Sequence, residues 1–561
     1  GRLIAELPLL RVPARGTESF DAEARVPRGI VKDAAATKFF TVACVQRRGF
    51  SGAQRCERAD GRTTVLPTFA GGRSLGDPLF PQVGNRGYEV SHYDLAIDYD
   101  PGDGTPGDHA FLPGTSTTID ARASRNLSQF SLDFQRFDVS RVTVDGDPAR
   151  FRYAGTEPLG DPAVVTQLKK LVVTPAEPVR RGAQMQVKVD YTGTPREMTD
   201  ADESIEGWIQ ACYTPTGGSR TCDGSFTVNE PNGAQTIFPS NNYPAEKATF
   251  DTAITVPSDK TAFGAGELVG GAPVANGDGT STWSWTEDDP IPTYLTSATV
   301  GDFTYEESAF VEAETGEELD VYTGVDSTAT PDRLLLIQSR FAEIPTVTNY
   351  LTTNLFGAYP FDSTGGVADR TDNVFYALEN ATKPHYAGGN SNPSVGSSTQ
   401  VHELAHQWMG DSVSPRDWLV IGFNEGWATF AELEYAFDNS GGPDPATFAD
   451  DYYEDPETDW SLAPADLDGD PANLFAAPTY DRTAAMLQYL REILGDEEFF
   501  AFAERIAQEY AYSTISWQQF IDEAVGASGF GAEQSAQLEE FFEQWLYGEV
   551  QPTLTPEDFA G

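Results

Sequence analysis

Val401-His402-Glu403-Leu404-Ala405-His406-Gln407-Trp408-Met409-Gly410 is preceded by Ser397 and Gln400 at capping-box spacing and closed by a glycine. The pattern predicts a helix. Spacing of four puts His402 and His406 on one helical face, a turn apart, where two imidazoles can converge on one Zn²⁺ at about 2.0 to 2.1 Å. Glu403 lies beside that face, within reach of a water on the metal. The chain has only five histidines in 561 residues. Composition alone then produces a His-Glu-x-x-His roughly three times in a thousand such chains. A third ligand is needed, and Glu425 follows His406 after 18 intervening residues, inside Asn424-Glu425-Gly426-Trp427-Ala428-Thr429-Phe430. Three protein ligands leave one coordination position open, as a catalytic site requires, whereas a structural zinc is closed by four.

Outward from this centre, helical signals dominate after about residue 330. Ser516 and Gln519 form a capping box, with Ile515 and Phe520 placed for a hydrophobic staple. Met486, Tyr489, Leu490 and Ile493 recur at helical spacing, and Gly495 supplies the stop. Between Tyr88 and Gly301-Asp302-Phe303 the pattern is instead short alternating runs such as Tyr93-Asp94-Leu95-Ala96-Ile97-Asp98-Tyr99, separated by Asp/Gly/Pro turns. The expected organisation is an extension over residues 1–87, an all-β domain over 88–304 and a mostly helical α+β catalytic domain over 305–561. Residues 1–87 lack a sustained period and are expected to contribute no site residue.

The motif His-Glu-x-x-His, 18 residues and Asn-Glu-Gly resembles the gluzincin aminopeptidases of the aminopeptidase N family, which includes leukotriene hydrolase. Further blocks agree. Tyr376-Ala377-Leu378-Glu379-Asn380 is similar to the family's Gly-Ala-Met-Glu-Asn strand, with Glu379 lying 23 positions before His402. The resemblance implies that Glu379 binds the substrate's free α-amine, with Ala377 and Asn380 beside it in the substrate site. Tyr376 and Leu378 depart from the family's Gly and Met. Thr227-Val228-Asn229-Glu230-Pro231, with Phe238-Pro239 and Glu246-Lys247-Ala248, is similar to the second anchor region and puts Glu230 on the other amine-binding group. Thr479-Tyr480-Asp481-Arg482-Thr483-Ala484-Ala485 resembles the Tyr-Glu-Lys-Gly-Ala block, whose tyrosine stabilises the oxyanion, so Tyr480 takes that role and Thr483 replaces the usual glycine. The resemblance covers roughly residues 85 to 550. It implies a saddle-like N-terminal β-sandwich followed by a thermolysin-like domain, one Zn²⁺ per chain, and peptide substrates with free N-termini. The family's large helical C-terminal domain is expected to be absent.

Charge narrows the partners. The formal net charge is −49, and residues 1–87 hold 14 basic against 8 acidic residues, so the rest carries −55. Such a body repels nucleic acid and anionic membrane, and no apolar run is long enough to span a bilayer. Cys212 and Cys222 flank a Gly/Ser/Thr turn segment that could close into a disulfide loop. Two free thiols in a reducing compartment are the alternative, and Cys44 and Cys56 stay open. An extracellular location is expected, with the cytoplasm of a salt-adapted organism as the alternative. The sequence carries no signal of oligomeric state. The rival functions are a thermolysin-like endopeptidase, which would lack the amine anchors, and a noncatalytic scaffold of the same fold. Epoxide hydrolysis, found in one branch of the family, would use the same metal ligands.

Overall fold

In the N-terminal half, alternation fixes which face of each strand is buried. Along Tyr88–Asp100 the buried residues are Tyr88 and Val90, then Tyr93, Leu95, Ile97 and Tyr99. The change of phase coincides with a register shift between Val90 and His92, where the extra residue of a bulge swaps the faces. The computed structural model describes residues 37–45, 55–65, 68–155, 169–389 and 392–559.

Tyr88–Asp100 is central to the largest sheet. Its spatial order is Glu267–Leu268, Thr280–Ile291, Ala248–Pro257, Tyr88–Asp100, Ser116–Ala123, Gln184–Thr192, Asp138–Val144 and Asp147–Pro148. Ala248–Pro257 runs parallel to Tyr88–Asp100, and the other neighbours in this order are antiparallel. A second sheet contains Arg150–Gly155, Lys169–Thr174, Leu127–Asp133 and Phe69–Ala70. A third is ordered Met198–Thr199, Ile205–Tyr213, Thr221–Val228, Ala298–Gly301 and Thr261–Gly264. Most apolar residues of these sheets and of the later helices form one large core, in which Phe111, Phe134, Phe137, Tyr191 and Trp208 stack ring against ring. Ile209, Ala211, Phe226 and Val228 of the third sheet form a smaller one with Val374, Leu378 and Ala387.

Strand Phe303–Val311 opens another sheet, continued by Glu318–Asp326, Ser363–Arg370, His385–Gly389 and Ala377–Leu378. Parallel pairing of Glu318–Asp326 with Ser363–Arg370, and of the latter with His385–Gly389, requires crossovers. The first crossover carries helices Pro331–Phe341 and Ile344–Leu351. Helices then prevail to the end, a β N-terminal part before a mostly helical α+β C-terminal part. The capping box of Trp517–Ala527 forms as expected, with Ser516 and Gln519 bonded reciprocally, and Gly495 ends helix Thr483–Leu494 at φ 82°. Among the described residues, no helix is long and apolar enough to cross a membrane. Cys212 and Cys222 are joined by a disulfide across strands Ile205–Tyr213 and Thr221–Val228. Cys44 and Cys56 oppose each other in the register of strands Thr37–Val45 and Arg55–Val65.

Residues 69–87 fall in the stretch expected to be an extension, yet they pack against the body. Leu79, Phe80 and Val83 are buried, and Asp77 Oδ2 accepts from the Trp418 N–H at 3.1 Å. Lys170 and Asp133 form an ion pair shut off from solvent. Around it, Lys170 Nζ donates to Gly84 O at 2.8 Å, and Asp133 Oδ2 accepts from Asn85 Nδ2 at 2.8 Å and Asn242 N at 3.1 Å. Three of the chain's eight lysines are turned inward in this way. Lys247 donates to the carbonyls of Asp411 and Ser412, and Lys383 lies over the rings of Trp285 and Tyr322.

Lys170→Met strands the Asp133 charge in the interior, where breaking a buried pair destabilises by about 3 to 5 kcal/mol. Urea denaturation followed by tryptophan fluorescence should show a loss of that size, and adding Asp133→Asn should restore part of it. Deleting residues through 87 removes the Gly84 and Asn85 contacts and should lower stability in the same assay.

Candidate active site

The central helix is shorter than the sequence pattern suggests. It spans Ser397–Ala405 with Gly396 at the N-cap and no side-chain cap. Ser397 already sits inside the first turn, so the expected capping box does not form, and Gln400 Nε2 instead donates to Arg340 O at 2.7 Å. His406 is the C-cap, still with helical dihedrals, and the chain then turns through Gly410 at φ 141°. A Cβ on Gly410 would meet His406 Nδ1 and Asn424 Nδ2 at 3.2 Å, so a side chain there would crowd the site.

His402, His406 and Glu425 come together, each offering one donor atom, all within 4.8 Å of one another. His402 Nδ1 lies 2.6 Å from Glu432 Oε1, and His406 Nδ1 lies 3.0 Å from Met409 O. With both Nδ1 atoms committed, both Nε2 atoms face Glu425 Oε2, at 3.1 and 3.4 Å. Tetrahedral bonds of 2.0 to 2.1 Å have ligand–ligand edges of about 3.4 Å. The donor set therefore fits a tetrahedral metal ion with one position left for a further ligand.

Glu425 is delivered by helix Ile421–Ser440. Gly426 explains how this helix comes close: a Cβ there would sit 2.3 Å from Thr483 Cγ2. Thr483, on the neighbouring helix Thr483–Leu494, thus fills the hollow that Gly426 leaves. Tyr480 lies in the turn Pro478–Arg482, half-buried, its ring 6.1 Å from that of His402 and 27° from parallel. Arg482 anchors the turn by donating to four carbonyls, those of Trp460, Leu462, Gln544 and Gly548.

Glu379 directly follows the strand Ala377–Leu378, in which Ala377 pairs with Tyr386, and Glu230 follows strand Thr221–Val228. Both are buried, and each keeps an Oε1 without a hydrogen-bond partner. Asn380 Nδ2 donates to Thr227 O at 3.0 Å, which ties the two segments together. Gln407 supplies a second tie that the sequence reading missed. Its Oε1 accepts from the Thr382 N–H at 2.7 Å, while its Nε2 donates to Glu379 O at 3.2 Å.

Charge is concentrated among these groups. Burial lifts the Glu403 carboxyl to about 8 against the pull of the two imidazoles. Glu230 is raised well above the carboxylate range by burial and then by Glu379, and Glu379 is raised by burial. Glu425 goes the other way: burial alone would raise it, but His406 and His402 together hold it at about 2. Burial would lower His406, yet Glu379 and Glu425 bring it to about 9. A pocket of carboxylates around two imidazoles is suited to binding cations.

The profile described as the peptidase M1 N-terminal domain matches residues 89–295, and that of the peptidase family M1 domain matches residues 381–545. The chain belongs to peptidase family M1. Among its relatives, leucine aminopeptidase 2 of Vanderwaltozyma polyspora is 24% identical over 82% of this chain and 66% of its own length. Aminopeptidase M1-B of Oryza sativa subsp. japonica is 26% identical over 68% of this chain and 42% of its own. The chain thus spans about two thirds of the former and less of the latter. The M1 zinc metallopeptidase from Deinococcus radiodurans shares the fold, with a TM-score of 0.68, 24% identity, and coverage of 86% of this chain and 99% of that one. Yeast LTA4 hydrolase superposes with a TM-score of 0.61 at 21% identity, covering 83% and 69%.

Glu432 is the second group that the sequence reading missed. It lies seven residues after Glu425 on one helix, two turns along the same face. That spacing is its signal, hidden among 86 acidic residues. Orienting partners of this kind are worth 10- to 100-fold in metal affinity. Glu432→Gln should weaken zinc binding in competition with a chromogenic chelator by roughly that factor, while Glu457→Gln, on the surface, should leave it unchanged.

Proposed function

We propose that this chain is a zinc-dependent aminopeptidase, one Zn²⁺ per chain, which removes N-terminal residues from peptides with free α-amines. The observation that carries the proposal is the pair of buried carboxylates, Glu379 and Glu230, with unpartnered oxygens next to a three-ligand metal site. The names of its M1 relatives, leucine aminopeptidase 2 among them, support the same reading. His402, His406 and Glu425 would hold the ion. When bound, zinc acidifies a coordinated water and polarises a carbonyl.

Glu403 takes the proton from the attacking water and later hands it to the departing amine. Tyr480, whose ring stands beside His402, donates its hydroxyl hydrogen to the carbonyl oxygen as negative charge gathers there. These groups would hydrolyse an amide anywhere in a peptide. Restriction to the N-terminus comes from Glu379 and Glu230, which reward a positive amine and close the cleft beyond it. Asn380 and Gln407 position Glu379 through their backbone ties, and Ala377 lines the strand leading to it. An extracellular location is part of the proposal, supported by the Cys212–Cys222 disulfide.

Glu403→Gln should keep one zinc per chain and lose at least 100-fold in rate, because the ligands remain and the base is gone. Residual activity above a tenth of the native rate would contradict the role. Glu379→Gln and Glu230→Gln should each cost about 10- to 150-fold in kcat/KM, since a charge-assisted bond is worth roughly 1.5 to 3 kcal/mol. Both should also narrow the gap between an aminoacyl substrate and its N-acetylated twin. Native-like discrimination in both variants would favour an endopeptidase.

A further inference from the structure

A second group of buried acids lies behind the amine anchors, and the proposed chemistry does not use it. Asp200 and Glu206 belong to one hairpin, in which Met198 pairs with Glu206 and Thr199 with Ile205. Asp200 N donates to Ser204 O at 2.9 Å as the hairpin turns. Residues 198 and 200 share a face, so the Asp200 and Glu206 side chains are diagonal neighbours on the same side of the ribbon. Both are dry, at 1% and 0% exposure.

Glu206 Oε2 accepts from the N–H groups of Asn232 and Gly233, each at 2.8 Å. Close approach of the two backbones makes that grip possible, since a Cβ on Gly233 would lie 2.6 Å from Gly207 N. The other oxygen of Glu206 completes no hydrogen bond, and the Asp200 oxygens have only the Ala201 N–H and the Asn232 amide near them, neither at full hydrogen-bond geometry. The Asn232 side chain, at 0% exposure, lies against Asp200, and neither its amide nitrogen nor its amide oxygen completes a hydrogen bond, so a turn of the amide sets either atom toward the acids. The charged neighbours acting on the two acids are Asp202 on both and Asp200 on Glu206, all of one sign. Two dehydrated carboxylates with no cationic side chain beside them among the described residues need either a proton or a metal ion.

We infer that Asp200, Glu206 and the Asn232 amide oxygen form a second metal site, for a hard divalent cation such as Ca²⁺. The donors are all oxygen, without the imidazole or thiolate that zinc favours, and the half-buried Asp202 and water can complete the six to eight contacts of calcium. The location gives the ion a task. Glu206 grips the backbone two and three residues after Glu230, and the Tyr376 hydroxyl donates to Ile205 O at 2.6 Å, three residues before Glu379. The site thus braces both anchor segments from behind, and its members are positioning residues. This last consequence rests on the reading of Glu230 and Glu379 as amine anchors, whereas the binding itself does not.

Equilibrium dialysis of the zinc-loaded full chain against ⁴⁵Ca²⁺ at 0.3 M NaCl, which screens loose surface binding, should give one saturable calcium per chain. Asp200→Asn with Glu206→Gln should weaken it at least 10-fold at unchanged zinc content, and Asp200→Asn alone serves if the double variant does not fold. Calcium should raise the Tm of the native chain and not that of the variant. In the native chain it should lower KM for an aminoacyl substrate while kcat stays within twofold. Absence of stoichiometric calcium, or equal binding by native and variant chains, overturns the site. So does a native chain that binds no calcium and instead loses stability as pH rises from about 4 to about 7 while Asp200→Asn does not. Burial raises Asp200 to about 7, so that outcome would mean a shared proton holds the pair. Calcium binding without the change in KM would keep the metal site and refute only its link to the anchors.

Discussion

The centre of this protein is governed by the confinement of negative charge away from water. Glu230, Glu379, Glu403, Glu425 and Asp411 are all buried, and the first four, with Asp411, act on one another electrostatically. Two unit charges 4 Å apart repel by about 4 kcal/mol at an effective dielectric of 20. Such a group stays ionised only where positive charge balances it, and otherwise takes up protons, the direction in which burial pushes Glu230, Glu403 and Asp411. The protein cations beside it are two imidazoles and Lys247, whose ammonium donates to the carbonyls of Asp411 and Ser412. In the proposed function the remaining demand would be met from outside, by a metal ion at Glu425 and an ammonium at Glu379 and Glu230. On this view the same imbalance drives metal uptake and substrate selection.

Holding like charges close together requires a scaffold that does not yield. The ties run across sequence distances that no local element could span: Asn380 to Thr227, Gln407 to Thr382 and Glu379, Asp77 to Trp418. Most are bonds from a buried side chain to backbone, which fix the chain's path and leave the carboxylate oxygens free. Gly426 against Thr483 does the same through shape, letting two helices approach to the depth of a missing methyl group.

Much of this was legible in the sequence, for identifiable reasons. His402, His406 and Glu425 announce themselves because histidine is scarce here and the spacing obeys the helical period. Strands such as Tyr88–Asp100 show their alternation plainly. Groups whose role depends on contacts distant in sequence did not show. Glu432 and Gln407 are ordinary residues until the fold places them, and Asp200 and Glu206 are two acids among many until a hairpin sets them face to face. Residues 69–87 read as an extension because their composition differs from the body, yet composition says nothing about where Phe80 or Asp77 will dock. The Ser397 cap failed because a capping signal is purely local and Arg340 O, 60 residues away, claimed Gln400. Thr483 departs from the family's glycine, and its fit against Gly426 became visible only with both helices in place.

The use of lysine has a consequence of its own. Lys170, Lys247 and Lys383 serve as internal rivets, and Lys260 is tied to Asp302 and the Asp223 carbonyl. Among the residues whose side chains are described, Lys169 and Lys188 are left with neither duty, on a body whose outside is otherwise populated by carboxylates and a few arginines. Over the residues whose side chains are described, the body therefore presents few primary amines to a reagent in solution. Amine-directed dyes, cross-linkers and resins will find few points of attachment on this body, while carbodiimide chemistry will find many, and a tether made by the second route spares every lysine that holds the fold together.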